Sequence, residues 1–463
     1  MKTPRIGLLP LYLELYDIKR PERRPRIEGF YGQIASALSE QGLEVSTVQV
    51  CRLKAEFNAA IRKFENDEVD AIVTLHLAYS PSLESSEALA STSLPLVVLD
   101  TTPAYSYGPG QDPAEVSYNH GIHGVQDMCN LLIRNGKPFL IAAGHWQKSN
   151  VLERVASFAR SARLAAGMGR ARVGRLGPAF VGMGDFAVPP ATLKTTLGVQ
   201  TLEGDAGLVR SLMAKVSDQA VEAEISSDQE HFVVNNLDSA CHERSTRAGL
   251  AIRHWIEQEK LTAFTINFNA VDKSLGLPTM PFLEASKAMA RGIGYAGEGD
   301  VLTAALVGAL ASVYPQTSFT EIFCPDWEGD QIFVSHMGEM NLDTAASAPT
   351  LVEMPFPFTD VGNPAIAVAR FRTGEAVLVN LAPARDDSYS LIVAPVVMQD
   401  VLGTDRMADS IHGWFKAALP VGEFLAEYSR AGGTHHSALV YGDVVEEIVN
   451  WGKLMLWKTV VLK

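Results

Sequence analysis

The sequence predicts an α/β chain: two parallel-sheet domains followed by a mostly antiparallel, barrel-like β domain. Three observations carry this. Short apolar runs rich in β-branched residues alternate with helically spaced segments through the first part of the 463-residue chain. The same alternation continues through the middle third. From about Gln316 onward, short strand-like runs follow one another without intervening helices. Strand–helix alternation builds βαβ units and parallel sheets, whereas consecutive short strands build antiparallel sheets or barrels. Residues 1–168, 169–315 and 316–463 are thus expected as two Rossmann-like α/β domains and a β-rich C-terminal domain.

The elements run as follows. Arg5–Leu13 is an apolar run leading into an acidic turn, Glu28–Gln41 has helical spacing, and Leu43–Val50 alternates as a strand does. Lys54–Glu65 is amphipathic, Asp70–Leu77 and Leu94–Asp100 are buried-strand runs, Ile122–Arg134 is helical, and Pro138–Ala143 is a further strand. Ligands of such sheets bind outside the carboxyl ends of the strands. Those ends carry His76, Asp100, His120, His123 and Gly144-His145-Trp146-Gln147. Helices are expected over Asn150–Met168, Leu208–Ser227, Ser239–Lys260, Phe282–Arg291 and Val301–Val313, with a strand end at Phe264–Asn269. Phe319–Phe323, Gln331–His336, Thr350–Met354, Ala365–Phe371, Glu375–Leu381 and Tyr389–Pro395 are the short strands of the last domain. A helix at Val421–Arg430 and an apolar tail close the chain.

Composition narrows the function. Acidic residues outnumber basic ones 53 to 39, for a formal charge of −14. Neutralising a phosphate backbone needs clustered Lys and Arg, and the densest basic run, Lys19 to Arg26, is short and broken by proline. Nucleic acid is therefore not expected as a partner. No run approaches the ~18 apolar residues of a membrane span, and the N-terminus has no small-residue cleavage site. The four cysteines are scattered, without a CxxC pair, which suits a reducing, cytoplasmic compartment and speaks against a Cys-bound zinc. A small-molecule ligand is expected.

Three clusters can carry chemistry. Gly297-Glu298-Gly299-Asp300 stands immediately before a helix, where two glycines let the chain bend and hold an acid at a strand-to-helix corner. Asp300 reads equally well as the N-cap of that helix. Glu321 and the run Ser335-His336-Met337-Gly338-Glu339 lie in or beside strands, so a carboxylate and an imidazole could share one centre. The pair His435-His436 follows a Gly-Gly turn. Two Glu and two His suit a hard divalent cation such as Mn²⁺, with open positions for substrate oxygens.

Together these motifs resemble the L-arabinose isomerase family, within the wider L-fucose/L-arabinose isomerase group. The matching segments run in the family's order. They are His123-Gly124, Gly144-His145-Trp146-Gln147 with Glu153-Arg154, Ala263-Phe264-Thr265 with Phe268, and Leu277-Pro278. Then come Gly294 to Asp300 with Thr303 to Leu306, Thr317-Ser318-Phe319-Thr320-Glu321, Ser335-His336-Met337 with Glu339, and Ala431 to His436. The resemblance implies an aldose–ketose isomerase, an intramolecular oxidoreductase. It implies metal ligands at Glu298, Glu321, His336 and His436, Mn²⁺ as cofactor with Co²⁺ and Mg²⁺ as alternatives, and Glu298 and Glu321 as the proton-moving pair. It further implies that His123 reaches into a neighbour's site in a homo-oligomer, hexamer or tetramer, and that Phe268 walls the sugar pocket.

Departures from the family concern the sugar. An Asp-Tyr-x-Tyr-His stretch is replaced by Ile322-Phe323-Cys324-Pro325-Asp326, and a Gln-His-Leu-Tyr-Gly stretch by Leu11 to Asp17. The segment after His436 is also shorter. Glu14, Tyr16 and His76 are expected at the mouth of the pocket as new sugar contacts. An aldopentose is the expected substrate. A sugar epimerase using the same enediolate, and a non-catalytic sugar-binding or regulatory protein, are the competing readings.

Overall fold

The computed structural model describes residues 3–463. They form two compact units: one holds the residues up to Ala166 together with Glu446–Leu456, the other Gly167–Val445 and Trp457–Lys463.

In the first unit, Arg5–Leu11 (β1), Glu44–Thr47 (β2), Ala71–His76 (β3), Leu96–Asp100 (β4) and Phe139–Ala143 (β5) make one parallel sheet of order β2-β1-β3-β4-β5. The order reverses between β1 and β3, so the crevice at their carboxyl ends is a topological switch point. Every residue of β3 is buried, as expected of a strand covered on both faces by crossover helices. The helix over Lys54–Asn66 shows how the pattern is read out: Phe57, Ala60, Ile61 and Phe64 recur at helical spacing and are all buried. They join Leu9, Ile72, Val98, Met128 and Leu132 in one core. A helix over Ser82–Ser91, not anticipated because its run of serines lacks an apolar stripe, completes this unit's alternation.

In the second unit, Arg172–Leu176 (β6), Gln200–Gly204 (β7), Ala263–Ile266 and Gly294–Gly297 form a second parallel sheet. With Val233–Val234 as β8, the latter two strands are β9 and β10, and the order is β10-β9-β6-β7. The single helix expected over Leu208–Ser227 is two, Ala206–Met213 and Asp218–His231. Ser217 breaks it: its side chain accepts from the Ala220 N–H and caps the second helix.

The β-rich part follows in the same unit. Thr317–Asp326 (β11) and Gln331–Ser335 (β12) pair as a hairpin, and Thr350–Glu353 (β13) with Ala365–Val368 (β14) and β8 makes a small separate sheet. Gly374–Pro383 (β15), Tyr389–Met398 (β16), His412–Ala417 (β17) and His436–Tyr441 (β18) follow. The pairings β15-β18-β11-β12-β17-β16 are antiparallel and close on themselves through β15–β16. The result is a six-stranded barrel with no free edge along this ring. Val334, Phe371, Leu378, Ile392, Phe415, Phe424 and Leu439 belong to its core, each removing roughly 1.5–3 kcal/mol of apolar surface from water. The apolar tail splits: Val445–Leu454 is a helix, and Lys458–Val461 (β19) adds to β16 in parallel. No helix among the described residues is long and apolar enough to cross a membrane.

Candidate metal centre

Glu298 stands where β10 turns into the helix Val301–Ala311. Its φ is +62°, a left-handed conformation that costs a non-glycine residue about 1 kcal/mol. Hydrogen bonds hold the strained backbone: its N–H donates to the Ile266 carbonyl (3.0 Å) and its carbonyl accepts from the Phe180 N–H (2.9 Å). The flanking glycines are required by space. A Cβ at Gly299 (φ +78°) would stand 2.4 Å from the Pro178 carbonyl oxygen, and one at Gly297 would stand 2.8 Å from His336 Cε1.

The helix that follows is buried along its whole length, so its first N–H groups need protein partners. Asp300 meets that need, accepting the Thr303 N–H at 2.8 Å. Its other oxygen accepts Nδ1–H of His436 at 3.0 Å. Asp300 thus both caps the helix and holds His436, in a carboxylate that is wholly buried.

Barrel register gathers the rest. Glu321 of β11 lies directly opposite His436 of β18 on one side and opposite Ser335 of β12 on the other. Directly opposed residues of antiparallel strands project from the same face. Glu321 and His436 thus share a face, and His336 follows Ser335. His336 Nε2 is 4.0 Å from Glu321 Oε2, and His436 Nε2 is 3.6 Å from Glu298 Oε2. The Phe319 ring lies against both imidazoles, with centroids 4.6 Å from His336 and 5.0 Å from His436. The Phe186 ring stacks on His436 at 5.1 Å.

Glu339, which the sequence showed only as part of a motif, positions His336. It accepts Nδ1–H of His336 (2.7 Å), the Tyr295 hydroxyl (2.6 Å) and the Gly338 N–H (2.8 Å). Burial alone would raise the Glu339 carboxyl. The His336 charge and these donors outweigh it and hold the group below the ordinary carboxylate range. Burial likewise opposes a proton on His336, but Glu339, Glu321 and Glu298 overcome it and the imidazole is shifted upward.

In the sequence, His435 is only the first half of a histidine pair. It donates Nδ1–H to Asp185 (2.6 Å), while Nε2 stands 3.8 Å from Glu298 Oε2. Burial works against its protonation, but Glu298 and Asp185 prevail and push it up to about 9. Glu298 is shifted below its ordinary value: burial raises it, and His435, His436 and His336 more than reverse that.

Two overlapping groups of donor atoms result. Glu298, His435 and His436 lie within 4.8 Å of one another, as do Glu321, His336 and His436. Glu298 Oε2, His435 Nε2 and His436 Nε2 are buried and make no hydrogen bond. Buried polar atoms left without partners cost free energy, and oxygen and imidazole donors converging in this way fit a divalent cation.

The remaining expected site residues lie elsewhere. Phe268 sits in a short turn after β9, in the same unit, with its ring among Phe180 (5.4 Å), Phe358 (5.9 Å) and Phe356 (6.0 Å). This aromatic wall begins at Phe180, whose N–H is bonded to Glu298. Glu14, Tyr16, His76 and His123 belong to the first unit. Tyr16 shares a hydrogen bond with His120 Nε2 (3.2 Å), and the His123 ring, on the exposed side of the helix Gly121–Arg134, is 5.6 Å from that of His120. Glu14 opens the short helix Glu14–Lys19. His76 is not at a mouth. It is 3% exposed, neither ring nitrogen has a hydrogen-bond partner, and the ring closes against Gly124, where a Cβ would stand 2.3 Å from it.

Two family models match the chain in succession: the L-arabinose isomerase central domain over residues 191–314 and the L-arabinose isomerase C-terminal domain over residues 316–457. Similar whole proteins carry the same description. The L-arabinose isomerase of Shouchella clausii is 24% identical over 353 residues, covering 75% of this chain and 72% of its own. That of Lactiplantibacillus plantarum is 26% identical over 410 residues, 84% of each chain. That of Thermotoga petrophila is 22% identical over 457 residues, 95% of this chain and 91% of its own.

Proposed function

The chain belongs to the L-arabinose isomerase family, and from that premise we propose that it interconverts an aldopentose and its ketose at Glu298, Glu321, His336 and His436, with Mn²⁺ as cofactor. The observation that carries the cation is the convergence of unpartnered donors: Glu298 Oε2 and His436 Nε2, 3.6 Å apart, with Glu321 and His336 gathered around the same His436.

Moving hydrogen between C2 and C1 of a sugar requires removing a weakly acidic proton next to a carbonyl. A divalent cation supplies charge stabilisation for the enediolate that forms across the two carbons. The protein's own groups do the remainder. Glu298 and Glu321 are the carboxylates placed to take the proton from one carbon and return it to the other. Each can act only while ionised. For Glu298, the neighbouring His435, His436 and His336 outweigh burial and hold the carboxyl below its ordinary range. Glu339 and Asp300 lock the orientation of His336 and His436, since a carboxylate only accepts and so fixes each ring's proton on Nδ1. Phe268, with Phe180, Phe356 and Phe358, offers an apolar wall to one face of the sugar.

Activity is assigned to a homo-oligomer, with the exposed His123 of one copy serving its neighbour, and to the cytoplasm. The changed segments at Leu11 to Asp17 and Ile322 to Asp326 direct the search to sugars other than L-arabinose as well. The test is a panel of aldoses and ketoses incubated with the Mn²⁺-loaded protein in D₂O, with products separated by chromatography and deuterium located by NMR. Isomerisation with solvent deuterium at the transferred position is expected. Inversion of a carbon without change of carbonyl position would make the protein an epimerase. Cation and sugar binding without turnover would make it a binding protein.

A further inference from the structure

We propose that His435 is a third imidazole donor to the divalent cation in the sugar-free protein, held for that purpose by Asp185; the inference rests on the cation-dependent reading above. Each of three histidines presents the same arrangement. His336 gives Nδ1–H to Glu339, His436 to Asp300 and His435 to Asp185, at 2.7, 3.0 and 2.6 Å. A carboxylate can only accept, so each bond keeps a proton on Nδ1 and makes Nε2 the nitrogen that a cation would take, displacing any proton there.

His435 Nε2 meets the further requirements. It is buried and makes no hydrogen bond, although the residue as a whole is partly exposed. It stands 3.8 Å from Glu298 Oε2, to which His436 Nε2 also points at 3.6 Å. Donors each about 2.0–2.2 Å from one ion lie within roughly 4.4 Å of one another, so these separations suit a common centre. Asp185 holds more than the ring: the same oxygen accepts the His435 backbone N–H at 3.1 Å, across 250 positions of sequence. The Phe186 ring packs beside both histidines, at 5.5 and 5.1 Å. A solvent-facing ion pair would not need a second bond to the backbone or a buried, unpartnered Nε2. Partial exposure makes His435 the donor best able to yield when a sugar supplies its own oxygens.

Metal-free, full-length protein is titrated with Mn²⁺ by calorimetry, and the bound ion is examined by pulsed EPR for imidazole nitrogen couplings, all without sugar. Three coupled nitrogens are expected in the wild type and two in His435→Gln. Mn²⁺ affinity should fall about tenfold or more in that variant. It should fall less in Asp185→Asn, where the ring remains but its proton is no longer fixed. Two coupled nitrogens in the wild type would overturn the proposal, whatever the variants do. Unchanged Mn²⁺ affinity in a folded His435→Gln would overturn it too. A wild type that takes no Mn²⁺ at all would sink both this inference and the cation-dependent reading. Two couplings together with tight binding would sink this inference alone.

Discussion

Replacing Asp300 with Asn separates the two bonds this carboxylate makes. One oxygen caps the buried helix through the Thr303 N–H at 2.8 Å, and the other accepts Nδ1–H of His436 at 3.0 Å. Asn caps helices about as well as Asp, so the first bond survives and the stability change should stay below about 1 kcal/mol. The second bond inverts. An amide NH₂ now faces Nδ1, which must accept, so the neutral ring carries its proton on Nε2. That proton points at Glu298 Oε2, 3.6 Å away, where the cation's donor lone pair is needed. Losing such a positioning bond lowers metal affinity ~10–100-fold, about 1.4–2.7 kcal/mol. Asp300→Ala loses both bonds. The missing cap costs about 0.5–2 kcal/mol and the stranded imidazole N–H about 1–3 kcal/mol. Mn²⁺ titration calorimetry and thermal unfolding of the metal-free protein separate the effects. Asn should weaken Mn²⁺ with little change in melting temperature, and Ala should lower both. Mn²⁺ affinity in Asp300→Asn equal to wild type would show that Asp300 is a cap and nothing more.

Three further outcomes follow from the same geometry. Glu298→Gln and Glu321→Gln should each reduce turnover by about 10²–10⁴-fold, measured as initial rates on whichever sugar the panel identifies; near-normal rates in either would remove that residue from the proton path. Gly299→Ala, at φ +78° and with its Cβ 2.4 Å from a carbonyl oxygen, should destabilise by more than about 1 kcal/mol, seen as a lower thermal midpoint of the metal-free protein; an unchanged midpoint would mean the corner is not under this constraint. Acid should loosen the first unit through His76. Burial lowers its pKa from the ordinary 6.5 to about 3, against a small opposing effect of Asp127. The unfolded chain therefore binds this proton first. The stabilisation is complete above pH 6.5 and is lost at about 1.4 kcal/mol per pH unit as pH falls toward 3. Between about pH 7.5 and pH 5, wild type should lose about 2 kcal/mol more stability to denaturant than His76→Met does, and equal losses would contradict the burial argument.

Sequence patterning was most informative where burial is two-sided. β3 and β4 are mostly apolar, broken only by Thr74, His76 and Asp100, and the sequence places their ends to within two residues. β6 and β7 carry no such pattern. Arg172 and Arg175 interrupt the first, and in the structure they pair with neighbours across the sheet, Arg175 with Glu203 of β7. Such pairing satisfies a charge only after the strands meet, so no local pattern reveals it. The site divides in the same way. Glu298, Glu321, His336 and His436 stand out by residue type and motif. The carboxylates that orient the imidazoles do not. Asp300 looks like a cap, and Asp185 lies in a Gly-Met-Gly-Asp-Phe stretch whose partner is 250 residues away. Contacts of that span depend on how the chain between them folds.

The closed barrel has a consequence for how this centre tolerates change. Glu321 and His436 are neighbours on one ladder, which also fixes the Ser335 end of β12, and the ladder is one arc of a ring that returns to itself through β15 and β16. In an open sheet a strand can slip by a residue at the cost of a few bonds. In the ring, a one-residue slip of β18 would have to be absorbed by both of its neighbours, and it would turn His436 to the opposite face. The hydrogen-bond ladder therefore acts as a fixed ruler between two strand-borne donors. Insertions and deletions have room only in the connections outside the ring, such as the segment between β16 and β17, and it is there that length can vary without moving the donors apart.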